Sequence, residues 1–523
     1  MGPETADTPM NGAESLVRTL ADCGVEVCFA NPGTSEMHFV AALDREPRMR
    51  PILGLFEGAV TGMADGYGRM AGKPAATLLH LGPGLANGLA NLHNARRAAT
   101  PIVNIVGDHA TYHAQYDAPL ASDVAGFARP VSAWVHSATS ALTVATDGAR
   151  AVAAARQPPG QIATLILPAD TAWNPAEGSA PPLPVPAPAQ VSSAAVERAV
   201  LASRAGAACS ILIRGEALGE AGLKAAGRLA EATGARLLVD TFAPRLARGA
   251  GRVMAERIPY FAEQIVEFLA GVEDLVLVGA RPPVSFFAYP GKPSWCLPEG
   301  ARITYLAHPH EDGVQALEAL AEAVGAAKTA KVLAPFVRPD APTGKLNQYS
   351  VGAVIARHLP EGAILSDEGA TGSGGTLLAT AGAAPHDHLA LTGGSIGQGV
   401  PVATGAAVGA AGRKVVCLQG DGGAMYTLQA LWTQARERLD VTTVILANRS
   451  YAILNVELAR VGALNAGPKA LSMLDLRDPG LDFVSLGRGL GVDSSRAETI
   501  EAFEAQFGAA MREPGPRLIE VML

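Results

Sequence analysis

The stretch with the most chemical content runs Val415-Val416-Cys417-Leu418-Gln419-Gly420-Asp421-Gly422-Gly423-Ala424, continues into an expected helix over about 427–438, and returns as Val441–Ala447 ending on Asn448. An apolar strand opening into Gly-Asp-Gly-Gly lets backbone amides approach a ligand with no Cβ in the way. The helix behind it presents free N–H groups and the positive end of its dipole. This arrangement suits a diphosphate held at Gly420, Gly422 and Gly423. Asp421 offers a hard carboxylate for Mg²⁺, and the returning strand brings the amide oxygen of Asn448 to the same carboxyl edge. Gly-Asp-Gly alone is an ordinary turn. Strand, turn, helix, strand and Asn, with 25 residues between Gly422 and Asn448, carries far more information.

That order resembles the thiamine-diphosphate (ThDP) motif of the 2-oxo acid decarboxylase and acetohydroxyacid synthase superfamily. The resemblance implies that the backbone carbonyl of Ser450 completes the metal shell of Asp421 and Asn448, with Tyr451 beside the cofactor. Arg449 stands where the family often has a second Asn. The family also pairs a carboxyl group with N1′ of the aminopyrimidine, favouring the tautomer whose 4′-nitrogen removes the C2 proton. Glu57, which opens a helix after Ile52–Phe56 in the run Glu57-Gly58-Ala59 to Gly66-Tyr67-Gly68-Arg69, resembles that acid. Its flanks Leu55 and Phe56 are expected to desolvate it. The plainer reading is a helix N-terminal carboxylate favoured by the dipole. Asp65 reads as a polar residue in helix packing. The loop Thr392-Gly393-Gly394-Ser395-Ile396-Gly397-Gln398 is similar to the one whose bulky apolar residue wedges beneath the cofactor. Ile396 takes that role, and Gly394 contacts the aminopyrimidine. Thr371 is either a further diphosphate contact or part of an ordinary Gly-rich turn.

Within the superfamily the pattern is most like benzoylformate decarboxylases. Asn31-Pro32-Gly33-Thr34-Ser35-Glu36 matches their Asn-Pro-Gly-Ser loop, with Thr34 at the active-site serine position, and His80 falls where they have a catalytic histidine able to relay protons. A lone histidine after a strand is also a common structural residue. The departures are specific. Gly279–Gly291 resembles the segment that supplies a second histidine, yet that spot holds Phe287 or Ala288. Gly82-Pro83-Gly84 is typical of acetohydroxyacid synthases. His109 and His113 at a strand end, and Gln398 where relatives usually carry an aromatic, either recognise a polar substrate or are surface loop residues. Ile211–Ala217 has the strand-turn form from which some relatives hold FAD, but it lacks a dinucleotide fingerprint, so FAD is not expected. The resemblance implies a ThDP- and Mg²⁺-dependent enzyme that decarboxylates a 2-oxo acid, releasing an aldehyde or ligating to an acceptor carbonyl. Two alternatives stay open, an acetolactate synthase-like carboligase and a catalytically silent ThDP-fold scaffold. Retention of Glu57, Asp421 and Asn448 together argues against the scaffold.

These residues need a scaffold to bring them together. A chain of 523 residues, 49% hydrophobic and 17% charged, has material for several buried cores. Pro-rich stretches at 174–190 and 333–345 read as linkers, which divides the chain into 1–173, a pyrimidine-binding domain; 191–332, a middle domain; and 346–523, a diphosphate-binding domain. In each, short β-branched runs alternate with helical patterns, predicting an α/β protein of three doubly wound parallel-sheet domains. A net charge of −8 without basic blocks excludes the footprint of a nucleic-acid binder. No apolar run is long enough for a membrane span, and Met1–Thr5 lacks the features of a signal peptide, which points to a cytoplasmic protein. The five cysteines are scattered and read as reduced core residues. The resemblance further implies a homodimer or homotetramer with active sites at subunit interfaces.

Overall fold

The computed structural model describes residues 10–463 and 465–523; the signal-peptide reading of Met1–Thr5 falls outside them. Continuous apolar runs, buried on both faces, form the central strands of three sheets, with half-exposed strands at the edges, as the alternation predicts. The first contains β1 (Val27–Asn31), β2 (Arg50–Leu53), β3 (Ala75–Leu79), β4 (Ile102–Asp108), β5 (Trp134–Ser137) and β6 (Ile162–Pro168), all parallel in the order β2-β1-β3-β4-β6-β5. The chain moves outward from β1 to β2, then crosses to the other side of β1 to lay down β3. Helices leave β1 and β3 toward opposite faces at such a switch point, and the crevice at their carboxyl ends is where open α/β sheets bind ligands.

The second sheet is also fully parallel. It is built from β7 (Cys209–Ile213) and β8 (Arg236–Val239), with β9 (Leu246–Arg248) leaving for the third sheet and β10 (Glu256–Arg257), β11 (Asp274–Val278) and β12 (Arg302–Ala307) completing the order β10-β8-β7-β11-β12. The third comprises β13 (Ala363–Glu368), β14 (His386–Ala390), β15 (Val415–Gly420), β16 (Val441–Ala447), β17 (Asp493–Ala497) and β18 (Arg517–Met522), in the order β17-β18-β16-β15-β13-β14-β9. Its only antiparallel member is β9, at the edge against β14. The switch point lies between β13 and β15, so Glu368-Gly369 and Gly420-Asp421 share one crevice.

The 174–190 and 333–345 stretches contain no helix or ladder strand. The chain condenses into two compact units. One runs to Ala187 and takes in Gly393–Ala411 and Thr427–Leu439; the other holds the remainder. In the first unit the Glu57–Ala71 and Gly399–Gly409 helices cross at glycines. A Cβ on Gly66 would lie 2.0 Å from the Val402 carbonyl oxygen, and one on Gly405 would lie 1.8 Å from that of Met63. Part of the glycine content is therefore spent on backbone contact between helices. The helix expected over 427–438 is in fact two, Asp421–Thr427 and Ala430–Arg436, the first beginning directly on Asp421. All five cysteines are free and buried.

Candidate active site

In the first unit, the switch-point crevice of the first sheet carries Thr34 and Glu36 at the end of β1 and His80 at the end of β3. Glu36 is fully buried. Its Oε2 accepts the Gly33 N–H at 2.7 Å and lies 2.8 Å from His80 Nδ1, which donates to it. Two donors on one oxygen leave Nδ1 protonated and Nε2 as the acceptor nitrogen. Burial pushes the Glu36 carboxyl above the usual range, opposed by the Gly33 and His80 hydrogen bonds. Glu36 Oε1 has no hydrogen-bond partner and packs on Gly107, where a Cβ would stand 1.6 Å away. Gly33 leaves room for the His80 ring, since a Cβ there would fall 2.3 Å from Nδ1. Thr34 is exposed at the same edge, on the Thr34–Glu36 turn. The sequence reading singled out His80 and Thr34 and missed Glu36, whose signal is its place three residues after Gly33.

Glu57 opens its helix, is 8% exposed, and accepts the Asn87 amide on Oε2 at 3.0 Å. Gly84 comes close on the other oxygen, where a Cβ would lie 3.0 Å from Oε1. Of the two flanking residues, Leu55 is exposed and Phe56 half-buried. Asn87, Asn91 and Asn94 share one face of the Leu81–Ala98 helix at i, i+4 and i+7. Asn91 donates to the Gly58 carbonyl (2.8 Å) and the Gly397 carbonyl (3.2 Å); Asn94 donates to the Ser395 carbonyl (2.8 Å) and accepts its N–H (3.2 Å). One helix face thus carries both the Glu57 carboxylate and the Gly394–Ile396 loop, where Gly394 and Gly397 take positive φ. This asparagine stripe also went unread. Asp65 is a packing residue as expected, fully buried in an ion pair with Arg69 and accepting the Thr100 hydroxyl. Gln398 is not a surface residue; it is buried, with Oε1 taking a hydrogen bond from Arg69 at 3.3 Å. His109 packs its ring on His113, with centroids 5.4 Å apart.

The second unit holds the other cluster, at the switch point of the third sheet. Asp421 follows β15 and Asn448 follows its neighbour β16, whose registers align Gly420 with Leu446. Asp421 is 4% exposed; Oδ1 accepts the Gly422 N–H at 2.9 Å and Oδ2 the Arg449 N–H at 2.6 Å. Arg449 reaches that oxygen from a left-handed backbone, φ 55°, a conformation Asn tolerates better than Arg. Asn448 Oδ1 accepts the Ser450 N–H at 3.0 Å. Tyr451 lies over Gly422, where a Cβ would meet its ring at 2.3 Å. Glu368, at the end of β13, accepts the Gln419 amide at 3.0 Å, and Thr371 sits partly buried on the adjoining turn.

Among the described residues no cationic side chain acts on Asp421: burial pushes its carboxyl up against the pull of the backbone hydrogen bonds alone. A divalent cation would supply the missing positive charge. The donors at hand, a carboxylate, the Asn448 amide oxygen and the Ser450 carbonyl, are the hard oxygens that Mg²⁺ takes. Among the described residues there is no His, Cys, Asp and Glu cluster of the kind that holds zinc.

Comparison with known proteins gives the family and the fold. The sequence matches the family described as thiamine pyrophosphate enzyme, N-terminal TPP binding domain, over residues 10–127, and the corresponding C-terminal TPP binding domain over 375–521. It is 54% identical, over 98% of this chain and 99% of the other, to a Mycobacterium tuberculosis protein provisionally named acetolactate synthase large subunit IlvX. It is 29% identical to benzoylformate decarboxylase of Pseudomonas aeruginosa, over 95% of this chain and 96% of that enzyme. The fold superposes on the thiamine diphosphate-dependent 4-hydroxybenzoylformate decarboxylase of Rhodococcus jostii with a TM-score of 0.85 at 24% identity, covering 98% and 99% of the two chains. The chain belongs to the thiamine-diphosphate-dependent enzyme family that includes the 2-oxo acid decarboxylases and acetolactate synthases.

Proposed function

We propose that the protein is a ThDP- and Mg²⁺-dependent enzyme that cleaves the C1–C2 bond of a 2-oxo acid by decarboxylation and delivers a proton to form an aldehyde. The observation that carries the decarboxylase assignment is the buried Glu36 carboxylate on His80 Nδ1, which leaves Nε2 at the switch-point crevice to take and return a proton. Bound ThDP supplies a nucleophilic carbon and an electron sink for CO₂ loss. Asp421, Asn448 and the Ser450 carbonyl hold Mg²⁺; Gly420, Gly422 and Gly423 flank the diphosphate, with Thr371 and Tyr451 beside it. Glu57, oriented by Asn87, holds a proton at N1′ of the aminopyrimidine, and Gly394 and Ile396 support that ring. Thr34 borders the substrate. As in the family, one cofactor is shared between the Glu57 residues of one copy and the Asp421 residues of another, in a cytoplasmic homodimer or homotetramer without FAD.

The second reading is carboligation of the acetolactate synthase type, favoured by the 54% identical relative and by Gly82-Pro83-Gly84. One experiment separates the two. CO₂ release is measured over aliphatic, aromatic and acidic 2-oxo acids, with and without an acceptor carbonyl compound, and the products are identified. Aldehyde as the main product supports the first reading, a 2-hydroxy ketone or acetohydroxy acid the second, and no turnover of any substrate by ThDP-loaded protein returns the silent scaffold.

A further inference from the structure

The helix Ala452–Arg460 starts one residue beyond Tyr451, directly after the metal loop, and none of its nine residues is buried. A helix with no fully buried residue has little apolar packing to fix it, so its position depends strongly on what ties its two ends. At the N-terminal end the ties are backbone bonds, Tyr451 N–H to the Leu474 carbonyl (2.9 Å) and Leu476 N–H to the Arg449 carbonyl (3.0 Å). At the C-terminal end the ties are two side chains, Glu457, whose buried carboxylate oxygens face Tyr260 and Tyr289, and Arg460, the only one of the two with an ion pair across to the second sheet. Arg460 binds both oxygens of Glu263, Nη2 to Oε2 at 2.6 Å, while its guanidinium lies 4.0 Å from the Phe261 ring centroid and 4.9 Å from that of Tyr289. Glu457, one turn back, is 3.9 Å from Arg460 Nε.

All three partners belong to the chain around the second sheet. Glu263 and Phe261 lie at the start of the Ala262–Phe268 helix, and Tyr289 lies on the 279–291 segment. That segment is packed onto the same place, with Phe286 5.3 Å from Tyr260 and 5.7 Å from Phe242, ring to ring. It offers aromatic rings where benzoylformate decarboxylase-like proteins carry a second histidine. Arg460 holds the Glu263 carboxyl down at about 2, and burial together with the Glu457 carboxylate pushes the Tyr260 phenol up, as expected of a fixed ionic cluster among rings. Bidentate, doubly stacked guanidinium contact is a geometry that Lys cannot reproduce.

We propose that Arg460, clamped by Glu263, Phe261 and Tyr289, is a positioning residue for the cofactor site: it anchors the exposed helix behind Asn448–Tyr451 and so sets the affinity of the metal loop for Mg²⁺ and ThDP. The inference rests on the ThDP assignment above, with the 279–291 segment serving as an anchor rather than a source of protons.

The test uses the full-length protein. ThDP binding in Mg²⁺ is measured by calorimetry for wild type, R460M, R460K, E263Q and R460M/E263Q, and kcat is measured at saturating ThDP. Ligand-orienting contacts typically alter affinity by 10–100-fold, so R460M and E263Q should each weaken ThDP by about tenfold with kcat within about twofold of wild type. The double variant should be no weaker than the worse single one, and R460K should fall between wild type and R460M. Half-buried Arg517, which pairs with Asp493 in the same unit, serves as control through R517M, which should bind as wild type does. E263Q keeps the test open should R460M fail to fold. Affinities of R460M and E263Q within about twofold of wild type overturn the clamp, as does R517M weakening ThDP equally. Wild-type protein that binds no ThDP refutes the cofactor assignment instead.

Discussion

Glu36→Gln removes one charge and little else. The amide oxygen keeps the Gly33 N–H and His80 Nδ1 as donors, and the amide nitrogen takes the place of Oε1, which has no partner to lose. What disappears is the carboxylate that stabilises the imidazolium formed when Nε2 takes a proton. A hydrogen bond to a charged group is worth about 1.5–3 kcal/mol, against roughly 0.5–1.5 for a neutral one. The Coulomb energy of a pair 4 Å apart near a protein surface reaches about 4 kcal/mol. His80 is 24% exposed on its side chain, so solvent screening takes the lower part of that range, about 1.5–3 kcal/mol. At 1.36 kcal/mol per decade, the proton-transfer step should slow by roughly 10–150-fold. Steady-state CO₂ release on the best substrate of the panel gives the rate, and calorimetric ThDP binding shows whether the site is intact. We expect binding unchanged, kcat reduced within that range, and the E36Q/H80A double variant no slower than H80A alone, because the two residues act as one unit. A kcat within about threefold of wild type would refute the dyad. So would full additivity of the two substitutions.

Asp421→Ala should abolish Mg²⁺-dependent ThDP binding in calorimetry, and affinity that persists in EDTA or in the variant would contradict the metal assignment. Arg449→Asn places a residue tolerant of left-handed backbone at φ 55° while keeping the N–H on Asp421. It should raise the melting temperature of the cofactor-free protein, gaining about 0.5–1 kcal/mol, and a lower melting temperature would count against strain there. Burial holds His386 neutral down to about 4 from an ordinary 6.5. The unfolded chain therefore takes the proton first as pH falls, so stability from this group is complete above about pH 6.5 and is lost toward pH 4, by up to about 3 kcal/mol. Denaturation of His386→Asn should show a shallower loss across that window, and an unchanged slope would exclude His386.

The central strands of the three sheets were legible because parallel strands buried on both faces read as unbroken apolar runs, Val415–Leu418 and Ile102–Val106 among them, whereas half-exposed edge strands such as Trp134–Ser137 and Asp493–Ala497 carry no such run. The Pro-rich stretches were legible for the opposite reason, since proline removes the donors that helices and ladders need. The helix beginning at Asp421 was placed too late because Gly422 and Gly423 have poor helix propensity, which tertiary contacts override. Three-residue β9 was invisible, because its pairing with β14 is decided by a partner more than a hundred residues away. In the site, Asp421 and Asn448 could be read because adjacent parallel strands end beside one another. Glu36 and the stripe Asn87, Asn91 and Asn94 were missed because polar residues on a turn or along one helix face look like a solvated surface until their partners are known. The burial of Gln398 could not be read for the same reason, as Arg69 lies 329 positions away.

The central claim is that this chain binds ThDP and activates it through Glu57. It is tested most directly by following hydrogen–deuterium exchange at C2 of bound ThDP by NMR in wild-type and Glu57→Gln protein, both saturated with cofactor and Mg²⁺. The account predicts fast exchange in wild type and, in the variant, retained binding with exchange slowed toward the rate of free ThDP. Equal exchange in the two proteins, or no acceleration in wild type, would contradict it.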